Sequence, residues 1–356
     1  MPTIYDVARR AGVAPITVSR VINNTGYIRQ ETRQRVLTAA EELGYVPNRL
    51  ASSLRSRRTN VLALVLADIS NPFFTLIARG VEDTASDQGF MVIYCNTDES
   101  EDEEQKYIDL VLQNRVDGIL LVPSGGGSAA IEATRRNRTP LVVIDRRIPE
   151  VEVDSVRGDS FGGAYELGHL LLNLGHRRIA LLNGPAGVST ADDRQAGFNS
   201  ALDEAGVPAS QRLGLSGRFT TLSGREMALQ AISQEPHLTA ILAANNFIAL
   251  GALQAIQECG LRVPEDIALV GFDDLPEALV AFPFLTVATQ PAYEMAQKAT
   301  GLLLERVAGT GPAEAQDIIL PTRLIVRQSS GGRLDRDKPM NSVHGKTRIA
   351  RKRYKI

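Results

Sequence analysis

The chain changes rhythm near residue 60. Before that point apolar residues recur every three or four positions; after it, short unbroken apolar runs alternate with amphipathic stretches. Ile4, Val7, Ala8 and Ala11 fall at helical spacing, with Thr3 placed to cap that helix and Gly12 to break it. A second helix is predicted over residues 15–23. Pro15 suits its first turn, where the missing N–H is not needed. Val18, Val21 and Ile22 then face inward and leave Pro15, Ile16, Ser19 and Arg20 outside. Two short helices across a Gly-containing turn form a helix-turn-helix, whose second helix enters the major groove of DNA. Beyond Arg58, apolar runs at 61–66, 90–95, 118–122, 141–144, 179–182, 240–243 and 267–270 predict buried strands. Helices are expected between them, at about 73–89 and through 106–113. Strands alternating with helices mean parallel sheets covered on both faces, and two such runs mean two doubly wound subdomains.

Charge sharpens the division. Residues 1–60 carry ten Arg, no Lys and four acids, a balance of +6; the whole chain stands at −2, which leaves −8 for the rest. A basic head on an acidic body suits phosphate binding. The alternative, a solvated basic face on a small bundle, explains the charge but not the helix spacing.

Between head and body lies a segment that predicts a third kind of element. Pro47 ends what precedes it, and Asn48 can cap a helix of about two turns, too short to be stable alone. Leu50 and Leu54 share one face. An apolar side chain on a basic helix can be wedged between base pairs in the minor groove. Leu54 is expected to do this; otherwise it packs on the head.

These residues resemble the lactose-repressor family of regulators. The match runs through residues 3–8, Gly12-Val13, residues 17–23, Thr32-Arg33, residues 43–48 and Leu54, and continues to about residue 328. The resemblance implies a homodimeric, sequence-specific transcription repressor that binds a roughly palindromic double-stranded DNA operator and is controlled by a sugar. It places Pro15, Ile16 and Arg20 at base-reading positions. Ile4, Ser19, Asn23, Tyr27, Thr32, Asn48 and Leu54 fall at other DNA-contacting positions. Only Arg20 among the base readers can make a bidentate bond to guanine; Pro15 and Ile16 offer apolar contact alone. Two family caps are missing: Ala14 and Arg29 stand where Ser is common.

The body resembles periplasmic sugar-binding proteins, most closely those for ribose. In that architecture the chain crosses between lobes near 159–162, 287–291 and 321–325, and the ligand lies in the cleft. The implied division is 1–46 for the head and 47–59 for the hinge helix. Residues 60–160 with 291–322 form one lobe and 161–290 with 323–330 the other; a disordered basic tail covers 331–356. Matching effector-binding positions are Asn71, Phe73, Phe74, Ser124, Asp145, Arg146, Arg194, Phe219, Asn245, Phe272, Asp273 and Gln290. The chemistry suits a polyol, since carboxylates, amides and guanidiniums satisfy hydroxyls and aromatic rings cover the apolar face. The effector is expected to be a pentose or another monosaccharide, free or phosphorylated. One departure counts against ribose itself: Val122 stands where the ribose proteins place Asn, with Ser124 and the glycines after it supplying polar groups instead. Singly, Asp145 and Asp273 also read as loop caps, Arg194 as a surface ion pair, and Phe73 and Phe74 as core residues at a helix start. Together they are better explained by one cleft.

Other classes recede. Cys95 and Cys259 are too few and too distant for a disulfide framework or zinc site, and both are expected reduced in the core. The four His show no ligand spacing, and the acidic run 99–104 reads as a helix opening rather than a metal site. No resident cofactor or metal is expected. No apolar run is long enough to span a membrane, no secretory signal is visible, and no nucleophile stands with a base. A cytoplasmic bacterial protein held on the nucleoid through DNA is the expectation. A sugar-binding protein or enzyme without DNA activity is the alternative, and residues 1–58 argue against it.

Overall fold

The computed structural model describes residues 2–46, 58–125, 127–275 and 283–331. The expected hinge helix with Asn48 and Leu54, and the tail beyond Gly331, lie outside the described residues. The chain divides into two compact units: residues 1–61 with 115–117, and the remainder.

The first unit holds three helices, α1 (Ile4–Ala11), α2 (Pro15–Ile22) and α3 (Gln30–Glu42). Thr3 caps α1 through a capping box with Asp6, and Gly12 ends it at φ 64°, where a side chain would be strained. Ala14 and Arg29 give α2 and α3 no side-chain cap, so each helix start forgoes about 1 kcal/mol. Val7, Ala8, Ala11, Val18, Val21, Val36 and Ala39 close the small core.

The second unit is α/β. Its first sheet runs β11-β5-β4-β3-β1-β2, built from β1 (Val61–Leu66), β2 (Met91–Asn96), β3 (Gly118–Leu121), β4 (Leu141–Ile144), β5 (Asp154–Gly158) and β11 (Asp317–Leu320). The second runs β12-β10-β9-β8-β6-β7, from β6 (Ile179–Asn183), β7 (Arg212–Ser216), β8 (Ala240–Ala243), β9 (Ala268–Phe272), β10 (Thr286–Thr289) and β12 (Arg323–Ile325). The β10–β12 pair is antiparallel, while pairs such as β1–β3 and β6–β8 are parallel. Helices α4 (Pro72–Asp87), α5 (Glu101–Gln113), α6 (Ala129–Asn137) and α11 (Ala292–Ala308) belong with the first sheet. Helices α7 (Ser160–Asn173), α8 (Ser189–Glu204), α9 (Thr221–Gln234) and α10 (Asn246–Glu258) belong with the second. The chain passes between the two lobes at residue 159, at 290–291 and at 321–322.

Helices in the second lobe meet at glycines. A Cβ on Gly251 of α10 would stand 2.0 Å from the Thr221 carbonyl oxygen, and one on Gly197 of α8 would stand 2.1 Å from that of Phe161. Absence of a side chain is what permits the backbones to approach this closely. One expectation fails here: Cys259 is exposed, because it terminates α10 at the surface, whereas Cys95 is buried.

Candidate functional site

In the head, α2 buries Val18 and Val21 and presents Ile16, 47% exposed, together with Arg20. Pro15 and Ser19 are half-buried on the same helix, and Ser19 Oγ accepts from Asn23 Nδ2 at 3.2 Å. Tyr27 stands 91% exposed in the following turn, which Arg33 braces by donating to Asn24 Oδ1 at 2.9 Å. Thr32 is half-buried at the start of α3, and Ile4 packs partly against the head core.

The second unit holds a cavity of about 600 Å³ between the lobes, at the carboxyl ends of the strands. Of the twelve residues expected to bind the effector, ten line it: Asn71, Phe73, Phe74, Ser124, Asp145, Arg146, Arg194, Phe219, Asn245 and Asp273. Phe272 lies beneath, fully buried, with the Arg194 guanidinium 4.1 Å above its ring centre. Gln290, on a crossover, donates to Asp273 Oδ1 at 3.0 Å without lining the cavity itself. Val122 packs in the core of the first lobe and does not line the cavity.

Two residues carry double duty. Asn71 caps α4 by accepting from the Phe73 amide at 3.0 Å. Its amide also pairs reciprocally with Asn246 across the lobes, at 3.1 and 3.0 Å. Most of its bonding capacity is therefore spent within the protein. Phe73 and Phe74 are core residues that also line the cavity. Arg147 also joins the lobes, by a bidentate pair with Asp193 at 2.6 and 2.7 Å.

Arg146 is the electrostatic centre. It donates to both Glu99 oxygens at 2.6 Å and to the Pro123 carbonyl at 2.7 Å, and lies 5.6 Å from the centre of the Phe219 ring. Burial works against its charge, but the Glu99 carboxylate more than offsets this and raises its pKa. Arg194, buried rather than on the surface, donates to the Ala244 carbonyl at 2.6 Å, and burial lowers its pKa. Burial pushes the Asp145 carboxyl up to about 6, against the pull of Arg194 and Arg146, and raises Asp273 likewise. Four buried polar atoms here have no hydrogen-bond partner: Asp145 Oδ1, Arg146 Nε, Arg194 Nε and Gln290 Oε1. Unmet donors and acceptors of this kind are costly in a folded protein and mark a place where a polar ligand can complete them.

Sequence reasoning missed Glu99. It read as part of a helix opening, yet α5 begins at Glu101 under a Ser100 cap, and Glu99 sits before it at φ 60° facing Arg146. The strand-end rule, applied to the loop after β2, would have found it. The same rule would have found residues 185–188 after β6. Among the described residues no group of His, Cys, Asp and Glu could hold a metal ion, and no helix is long and apolar enough to cross a membrane.

Residues 3–48 match the model for bacterial regulatory proteins of the lacI family. Residues 59–328 match that for periplasmic binding proteins and the sugar-binding domain of the LacI family. The HTH-type transcriptional regulator DegA of Bacillus subtilis is 40% identical over 335 residues, covering 92% of this chain and 98% of that protein. The lac repressor dimer bound to operator and the anti-inducer ONPF superposes with a TM-score of 0.82 at 28% identity, over 92% of this chain and 99% of that one. A LacI-family regulator from Enterococcus faecium with bound ribose gives 0.67 at 32% identity, over 76% and 98%. With a helix-turn-helix head, two parallel-dominated sheets and a polar cleft between them, this chain belongs to the LacI family of DNA-binding transcriptional regulators.

Proposed function

We propose that this regulator is a dimeric repressor whose operator affinity is set by an uncharged monosaccharide held between the lobes. The unpartnered polar atoms on the three cavity-lining residues Asp145, Arg146 and Arg194 carry the reading. They offer one acceptor and two donors beside the aromatic rings, the mixed bonding that a polyol's hydroxyls require. The charge balance argues against a phosphorylated sugar. Six carboxylates line the cavity against three guanidiniums. Of the latter, Arg146 is already forked onto Glu99. A phosphate would enter a site with an excess of negative charge. A thermal-shift screen of pentoses, hexoses and their phosphates tests this. A neutral sugar at a hundredfold excess over its Kd should stabilise the protein by about 2.7 kcal/mol. A sugar phosphate that stabilises more than its parent sugar would overturn it.

Asp145 gives the site a pH signature. Its carboxyl is mostly ionised at pH 7 and mostly protonated at pH 5, because burial sets its pKa near 6. A sugar hydroxyl donating to Oδ1 favours the ionised form, so binding must expel a proton below pH 6 and affinity falls there. The drop approaches about tenfold per pH unit at its steepest. Without ligand the sign for stability is opposite. A folded pKa above the ordinary value means this group's contribution falls as pH rises from about 4 to 6. Calorimetric titrations at pH 7.5 and 5.0 that gave equal affinities would exclude Asp145 as the acceptor.

For DNA, we assign Arg20 the main hydrogen-bonded base contact and Ile16 an apolar one, with Pro15, Ser19, Asn23, Tyr27 and Thr32 around them. Arg20→Ala should cost about 1–3 kcal/mol of discrimination at one operator position. A uniform loss on all duplexes, measured by competition binding, would contradict that role. Removing residues 1–58 should abolish operator binding and leave sugar binding intact.

A further inference from the structure

Thr59 and Asn60 are gripped by one carboxylate. The Thr59 amide donates to Asp117 Oδ1 at 2.9 Å and the Asn60 amide to Oδ2 at 2.8 Å. The Thr59 hydroxyl adds a bond to Oδ1 at 3.0 Å and reaches the Arg115 carbonyl at 3.2 Å. The Asp117 amide in turn donates to the Val61 carbonyl at 2.8 Å. Asn60 sits at φ 53°, a left-handed conformation that asparagine adopts more readily than other non-glycine residues. Asp117 also leads directly into β3, and the chain beyond β3 supplies Ser124 to the effector cavity.

We propose that Asp117 is a positioning residue for operator recognition: its carboxylate fixes the direction in which residues 59–60 lead toward the head. The inference rests on the reading of this chain as a dimeric operator-binding protein. Two heads carried by one dimer can read two half-sites together only at the separation their attachments allow. Freedom at the root of an attachment widens the range of separations it tolerates. A carboxylate that accepts from two consecutive backbone amides removes that freedom, and charge-assisted bonds hold more strongly than neutral ones. An aspartate needed only to stabilise the edge of β3 would not determine how far apart two half-sites can lie.

The test uses the full chain. Its operator is obtained by selection from a random duplex library, and one or two base pairs are then inserted between the half-sites. For the wild type each insertion should cost about tenfold in affinity, because half-site spacing is a geometric requirement. Asp117→Asn turns an amide NH2 toward the Asn60 N–H, so a donor faces a donor. It should reduce that penalty to below about threefold while affinity for an isolated half-site stays unchanged, and the lost charge-assisted bonds should lower the melting temperature by only a few degrees. Thr59→Ala removes only the hydroxyl bonds and should fall between. Hydrogen exchange at the amides of residues 59 and 60 reports whether the grip has opened. Free exchange with an undiminished spacing penalty overturns the proposal, as do amides that stay protected in Asp117→Asn. A wild type that selects no duplex overturns the operator-binding reading itself.

Discussion

Arg146→Ala is expected to unfold a large share of this protein's stability margin and to abolish effector binding together. The side chain is only 4% exposed, and its partner Glu99 is 27% exposed. Removing the guanidinium leaves the Glu99 carboxylate without its partner and takes away a cation that favours the ionised form of Asp145. It also opens the Pro123 carbonyl and removes the group lying over Phe219. Breaking a buried pair from one side costs about 3–5 kcal/mol, most of it the burden of the charge left behind. Arg146→Lys keeps a charge but loses the fork, and should fall between. The double variant Arg146→Met with Glu99→Leu separates stability from function. It should recover most of the stability, since apolar replacements of similar volume are often neutral, yet it should still bind no sugar. Urea unfolding measures the first quantity and calorimetric titration the second. An Arg146→Ala protein within about 1 kcal/mol of wild type would show that the pair is not the keystone of the cleft.

Gly251→Ala is the second large effect. The new Cβ would meet the Thr221 carbonyl at 2.0 Å, the Arg225 amide nitrogen at 2.5 Å and Gly224 backbone carbon at 2.9 Å. All three are backbone atoms, so no side-chain rotation can relieve the collision. Helices α9 and α10 must separate, which carries the cavity-lining Thr220 and Asn245 at their starts. The expected cost is about 3 kcal/mol or more, at or beyond the upper end for overpacking. Gly301→Ala is the control. It lies within α11 with nothing inside 4 Å of its Cβ, and should stabilise by about 0.5–1 kcal/mol. Equal melting temperatures for the two variants would refute the close-packing account.

Some of this architecture is legible in the sequence and some is not, for definite reasons. Strands buried on both faces read as unbroken apolar runs, and β1, β4 and β8 appear at their predicted bounds. Strand β5 escapes because it reads Asp-Ser-Val-Arg-Gly, although it lies inside the sheet. Its polar residues are satisfied across the strand neighbours and by α11: Arg306 forks onto Asp154 at 2.7 and 2.8 Å, while Ser155 and Arg157 both donate to Asp317. Hydrophobic periodicity cannot register a strand whose burial is paid in ion pairs. The cleft is legible through the resemblance: the positions matched to sugar-binding proteins follow strand ends, which parallel sheets bring together, and ten of them line the cavity. Glu99 was hidden by its neighbours, since acids before a helix have an ordinary explanation.

The three passages between the lobes have a consequence for synthesis. Neither lobe is one continuous stretch: β11 and β12 complete the two sheets only with residues 317–325. The head, finished at Glu42, leaves the ribosome nearly 280 residues before β11 is made. At ordinary elongation rates that interval is roughly 15–55 s. Throughout it the nascent chain carries a formed DNA-reading module and an incomplete sensor. A chain terminated before residue 317 stays in that condition, lacking an edge strand from each sheet. Such fragments would retain the head's contacts with DNA while being deaf to any metabolite.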